Sequence, residues 1–137
     1  MRIIGGKNKG KKIDLPTDEK TRPLRDLVKE SIFNLILHSN KLKCVLADSQ
    51  VLDLFSGTGS FGLECHSRGA KYVTFVENHF PILKILKKNI TSIEANNSTE
   101  VIQKSCFEYF ETHQNLINKI NWDNGFFRKD IGYKVIN

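Results

Sequence analysis

Two hydrophobic periods divide the chain. Between residues 23 and 37, apolar side chains fall at Val28, Ile32, Leu35 and Ile36, the i, i+4, i+7, i+8 stripe of an amphipathic helix. Beyond residue 49 the pattern changes to short apolar runs separated by helical stretches. Residues 50–55 predict a buried strand, residues 60–68 a helix stopped by Gly69, and residues 71–76 (KYVTFV) a second strand. Asn78 is placed to cap a helix with Pro81 in its first turn and Leu83, Leu86 and Ile90 on its apolar face. Residues 100–103 predict a third strand and residues 107–113 a further helical segment. Strands alternating with helices imply an α/β protein with a parallel sheet. Ahead of this unit, residues 2–4 and 12–15 predict two short strands around the basic turn GGKNKGKK.

At 137 residues the chain allows one domain at most and is large enough for a single modest core. No apolar run reaches the ~18 residues of a membrane span, and the charged N-terminus lacks the apolar stretch of a signal peptide. Cys44, Cys65 and Cys106 are far apart and form no C-x-x-C pair, which argues against a metal site or disulfide framework and for a reducing cytoplasm. Cys65-His66 reads as core packing. A net charge of +6 and a pI near 9.3 favour an acidic partner, nucleic acid first. The charge is concentrated early: Arg2, Lys7, Lys9, Lys11, Lys12, Lys20, Arg22, Arg25 and Lys29 all precede residue 30. Arg25 and Lys29, four apart, share a helix side away from the Val28/Ile32 stripe and are expected to be free for a partner.

The sharpest chemical signal is residues 51–64, VLDLFSGTGSFGLE, a strand carrying Asp53 that breaks into Gly57, Gly59 and Gly62. A glycine turn between strand and helix lets a ligand approach the backbone at a helix N-terminus. G-x-G-x-x-G alone is weak, because turns use glycine for steric reasons. A dinucleotide would lay pyrophosphate over this loop, and Asp53 would repel it. S-adenosylmethionine carries an ammonium and a sulfonium instead, so Asp53 favours it. Asp53 can also simply cap the N–H groups of its own loop. Glu77 ends the second strand, twenty residues after Gly57, where a carboxylate accepts ribose hydroxyls.

RIIGG with its basic turn, TRPLRDLVKESIFN (residues 21–34), DLFSGTGSFGLE (residues 53–64), SRGA (residues 67–70) and VEN (residues 76–78) together resemble the bacterial 16S rRNA guanine-N2 methyltransferases. The resemblance runs in order from residue 1 to about residue 109. It implies a Rossmann-like class I methyltransferase fold, of which this chain would hold the N-terminal half of the parallel sheet, preceded by a small basic β-hairpin and helix. It further implies S-adenosylmethionine as donor, and 16S rRNA or the assembling small ribosomal subunit as partner of a cytoplasmic monomer. By position, Asp53, Gly57 and Gly59 would line the methionine end, Glu77 would hold the ribose and Ser105 and Cys106 would meet the adenine, with Phe55, Thr58 and Asn78 also among the cofactor-binding residues. Arg2, Lys7, Lys9, Lys11, Lys12, Arg22, Arg25 and Lys29 would meet RNA phosphates, which fix position and supply salt-dependent affinity.

The resemblance also implies a catalytic Asp/Asn-Pro-Pro-Phe/Tyr motif after a fourth strand. The prolines here are Pro16, Pro23 and Pro81, so these 137 residues contain no Pro-Pro pair and no assignable catalytic residue. The expectation is three stretches: a basic RNA-facing hairpin and helix (1–45), a cofactor-binding half-domain (46–114) and an unassigned tail (115–137) of a truncated or frameshifted copy. Without a fourth strand, the first strand is expected to become an edge, unless residues 132–136 fill the gap. The competing readings are a non-catalytic basic RNA-binding remnant and an NAD-type oxidoreductase fragment; Asp53 argues against the latter.

Overall fold

The computed structural model describes residues 1–17, 23–38, 45–119, 125–128 and 132–136. Residues 1–13 fold back on themselves as a short arm. Arg2 and Lys12 form an antiparallel bridge, and the Ile3 and Ile13 N–H groups donate to the Lys11 and Met1 carbonyls at 2.9 Å each. Helix α1 (Pro23–His38) starts on proline, whose missing N–H costs nothing there, and carries Asp26 in its first turn. Its buried face is Lys29, Ile32, Phe33 and Ile36; Leu35, expected on that face, is 57% exposed. The real stripe runs one position around, because Phe33 packs against Phe61 with ring centroids 5.1 Å apart.

Strand β1 (Gln50–Leu54) leads through the glycine loop into α2 (Ser60–Ser67), and β2 (Tyr72–Val76) into α3 (Phe80–Ser92). A 3-10 turn (Asn96–Ser98) precedes β3 (Thr99–Ile102), which is followed by α4 (Cys106–Thr112) and α5 (Gln114–Lys119). Strands β1, β2 and β3 are parallel and in sequence order, as crossover helices require. Asn78 does not cap α3. His79 holds that position without a side-chain bond, while Glu77 Oε2 accepts the Asn78 and His79 N–H groups at 2.9 Å.

The sheet does not end at β1. Strands β4 (Gly125–Arg128) and β5 (Gly132–Ile136) form an antiparallel hairpin, and β5 pairs antiparallel with β1, setting Val51 opposite Ile136 and Asp53 opposite Lys134. The strand order is therefore β3-β2-β1-β5-β4. The tail that sequence left unassigned supplies the strand that removes β1 from the edge, which leaves β1 buried from Val51 to Leu54.

Arm and sheet share one core. Ile3 and Ile13 are buried in the same cluster as Phe33, Leu63, Val73 and Leu86, and a smaller cluster of Leu52, Leu54, Val76, Cys106 and Tyr109 lies apart from it. Among the described residues, no helix is long and apolar enough to cross a membrane, and no group of three or more His, Cys, Asp or Glu could hold a metal ion.

Candidate functional site

The loop after β1 is built by three different glycine requirements. Gly57 (φ +57°) and Gly59 (φ +88°) adopt left-handed backbone. A Cβ on Gly59 would stand 2.5 Å from Leu86 Cδ1, and one on Gly62 would stand 2.4 Å from the Phe75 ring and 2.9 Å from Asp53 Oδ2. At Gly57 the same position is open, with nothing within 4 Å. Gly59 and Gly62 thus serve packing of α2 and α3 on the sheet, and Gly57 marks where the loop backbone faces outward. Phe55 precedes the loop with φ 55°, a left-handed conformation unusual for an aromatic residue, and its ring is 59% exposed.

One carboxylate holds this loop and another holds the first turn of the helix that follows it. Asp53 is fully buried, and its Oδ2 accepts the Gly62 N–H at 3.0 Å. It shapes the start of α2 from behind; in this conformation its carboxylate is closed off from solvent. Glu77 lies at the end of β2, and its Oε1 accepts the Gly57 N–H at 3.0 Å. Thr58 lies half-buried between the glycines, and its carbonyl accepts from Asn89 Nδ2 at 2.9 Å. Among the described residues, Ser56 Oγ is buried beside the loop with no hydrogen-bond partner. Asn78 is exposed.

At the end of β3, Ser105 is the N-cap of α4. Its Oγ accepts the Glu108 N–H at 3.2 Å and donates to Glu108 Oε1 at 3.1 Å, an N-cap that employs the hydroxyl within its own helix. Cys106 is buried beneath it. Phe55, Phe80 and Phe107 are all exposed and follow three parallel strands, so the topology places them at one end of the sheet.

The basic positions separate into two groups. Arg2, Lys7, Lys9, Lys11 and Lys12 are exposed on the arm. Lys29 is not: it is 6% exposed, its Nζ lies 3.2 Å from Glu64 Oε1 and donates to the Arg2 carbonyl at 2.7 Å and to Ser60 Oγ at 3.2 Å. Burial pushes the Lys29 amine below its usual range, and the Glu64 charge works against that shift. The expectation that Lys29 is free to meet RNA is therefore overturned; its helix side faces the arm and α2. Arg22 and the Arg25 side chain lie outside the described residues.

Sequence reasoning missed the clamp that positions the arm. Glu64 is fully buried and accepts four bonds, from the Ile4 N–H (2.8 Å), the Gly5 N–H (2.9 Å), Arg68 Nε (2.8 Å) and Lys29 Nζ (3.2 Å). Ser67 completes it, donating to the Gly5 carbonyl at 2.6 Å while its Oγ accepts the Asn8 N–H at 2.9 Å. Gly6 is required there, since a Cβ would fall 1.9 Å from the Ser67 carbonyl oxygen. The signal was available, because a glutamate inside a helix that must bury itself needs several donors. A shallow depression of about 340 Å³ between arm and α1, lined by Arg2, Ile3, Ile4, Lys9, Gly10, Asp26 and Glu30, shares no residue with the glycine loop.

Comparison with known proteins matches residues 1–126 to a family described as Conserved hypothetical protein 95. The chain is 36% identical over 116 residues to Ribosomal RNA small subunit methyltransferase D of Haemophilus influenzae, covering 84% of this chain and 57% of that protein. It is 38% identical over 101 residues to the protein of the same name in Escherichia coli, covering 74% of this chain and 48% of that one. Among solved structures, yhhF of Escherichia coli, described as a candidate methyltransferase, superposes with a TM-score of 0.66 at 31% identity, covering 80% of this chain and 55% of that one. The chain spans about half the length of the curated relatives it matches.

Proposed function

Because this chain belongs to the Conserved hypothetical protein 95 family, we propose that it is the cofactor- and RNA-binding portion of an S-adenosylmethionine-dependent 16S rRNA guanine-N2 methyltransferase. One observation carries the reading: a glycine loop that is open at Gly57, whose N–H is held by Glu77 just past β2, with the buried Asp53 of β1 beneath the start of α2. Two acids at one glycine loop suit a cationic adenosine ligand and oppose a pyrophosphate. The residues fit such a ligand, since Gly57 leaves room for close approach and Ser56 Oγ is a buried polar atom with no partner among the described residues.

In this reading Gly57 and Thr58 present backbone to the methionine end of the cofactor, and buried Gly59 sets the packing that positions them. Glu77 orders the loop through Gly57 and offers its remaining lone pairs to a ribose. Asp53 acts from beneath, fixing the Gly62 N–H. When bound, S-adenosylmethionine supplies an activated methyl group, so the protein's contribution is mainly orientation of donor and acceptor. Ser105 caps its helix, and Cys106 with the start of α4 shapes the adenine side. Arg2, Lys7, Lys9, Lys11 and Lys12 hold RNA phosphates without reading sequence. No Pro-Pro pair lies within residues 1–137, so the residues proposed here are binding residues and none is assigned to the methyl transfer itself.

The second reading is a non-catalytic RNA-binding chain that uses the basic arm alone. Titration calorimetry with S-adenosylhomocysteine and with NADH separates the cases. Binding of S-adenosylhomocysteine alone supports the proposal. RNA affinity without S-adenosylhomocysteine binding supports the remnant, and NADH binding alone refutes the methyltransferase reading.

A further inference from the structure

The glycine loop and the basic arm are tied together at two points, and the buried side chain at one of them has no role in either site by itself. Asn89, on α3, is 2% exposed and lies among the apolar residues Leu86 and Ile90. Its Oδ1 accepts the Asp14 N–H at 2.9 Å, and its Nδ2 donates to the Asp14 carbonyl at 3.1 Å and the Thr58 carbonyl at 2.9 Å. Both amide hydrogens and the oxygen are therefore used. The orientation is forced, since the flipped amide would turn its oxygen onto two carbonyl oxygens. Asp14 continues the second limb of the arm, directly after buried Ile13. The second tie runs through Lys29, which joins the Arg2 carbonyl on the first limb to Ser60 Oγ just past the loop. Each limb of the arm is thus fastened to the C-terminal side of the loop, at Thr58 and at Ser60.

We propose that Asn89 is a positioning residue that couples RNA docking on the arm to cofactor binding at the loop, so that each ligand tightens the other. The inference rests on the proposed function, which places the cofactor at the loop and RNA on the arm. An arm held by RNA fixes Asp14; through Asn89 that fixes the Thr58 carbonyl, and with it the backbone that Gly57 and Gly59 present. Coupling of this kind is a free energy shared by both sites, so it is reciprocal.

The test is calorimetry of the full chain with S-adenosylhomocysteine, with and without a saturating guanine-containing RNA hairpin, in the native protein and in Asn89→Asp. The variant keeps the acceptor for the Asp14 N–H and loses both donors. In the native protein, RNA should tighten S-adenosylhomocysteine at least about fivefold, and S-adenosylhomocysteine should tighten RNA by the same factor. In Asn89→Asp both ratios should fall to about one while each ligand still binds. A merely structural asparagine would leave the ratios unchanged. Independent binding of both ligands in the native protein, or intact coupling in the variant, overturns the inference and leaves the proposed function standing. Failure of native protein to bind one of the two ligands overturns the proposed function and the inference with it. Should the variant fail to fold, amide exchange in the native protein decides: RNA must slow exchange at residues 57–60, and unchanged exchange there overturns the coupling.

Discussion

Replacing Glu64 by glutamine keeps the side-chain shape while removing one charge from the arm's attachment point. Every group on this carboxylate is a donor: two backbone N–H groups, Arg68 Nε and Lys29 Nζ. A glutamine can accept at one oxygen only. In either orientation its NH₂ meets two donors, either the Gly5 N–H and Arg68 Nε or the Ile4 N–H and Lys29 Nζ. The side chains of Lys29 and Arg68 are 7% and 15% exposed, so solvent does little to replace the lost charge. Removing one partner of such a buried group costs about 3–5 kcal/mol, against a total stability of roughly 5–15 kcal/mol for a small domain. With a urea m-value of about 1–3 kcal/mol/M, the unfolding midpoint of Glu64→Gln should fall on the order of 2 M. Trypsin should then cleave faster at Lys7, Lys9 and Lys11, because the arm loses its clamp. Adding Lys29→Met should recover part of the loss by removing the stranded cation. A midpoint shift below about 0.5 M would refute the reasoning, because the four-donor clamp would then contribute no more than an exposed ion pair.

Lys9→Ala should lower the slope of log RNA affinity against log salt by about 0.7–1, whereas buried Lys29→Ala should leave the slope unchanged and lower the unfolding midpoint; filter binding across a salt series checks both. Gly59→Ala, strained at φ +88° and colliding with Leu86, should cost about 2–3 kcal/mol in urea unfolding. Gly57→Ala, with open space at its Cβ, should cost only about 1–2 kcal/mol yet weaken S-adenosylhomocysteine more than about tenfold in calorimetry, a loss of at least ~1.4 kcal/mol. His66 is buried, its Nε2 lies 2.7 Å from Ser98 Oγ, and burial, assisted by the Lys7 charge, holds its pKa below the usual 6.5. The unfolded chain therefore binds the proton more readily. The His66 contribution should be fully present above pH 6.5 and be lost as pH falls toward the depressed folded value. Thermal melts from pH 8 to 5 should show this fall, and His66→Gln should flatten it.

The parallel half of the sheet was legible because its signals are local: apolar strands, Gly69 at a helix end and the glycine loop itself. Boundaries moved by one or two residues, as with β3, expected over residues 100–103 and observed at Thr99–Ile102. What sequence misplaced depended on tertiary partners. Lys29 looked like a solvated charge because helix spacing shows which side it occupies, not that Glu64 waits on that side. Asn78 has the right chemistry for a cap, but Glu77 already bonds its N–H. Strand β5 was visible only as a short alternating run, because its pairing with β1 bridges some eighty residues of chain that no local pattern encodes. Asn89 did carry a signal, a polar residue beside the apolar stripe of Leu83, Leu86 and Ile90; its partners, Asp14 and Thr58, could not be read from spacing.

The most direct test of the account is an amide NMR titration of the isotopically labelled chain with S-adenosylhomocysteine, with NADH titrated separately. The account predicts that S-adenosylhomocysteine moves the Gly57, Thr58, Gly59 and Glu77 resonances first, and that NADH moves none of them. Resonance changes at these four residues with NADH but not with S-adenosylhomocysteine, or no change there with either ligand, would contradict it.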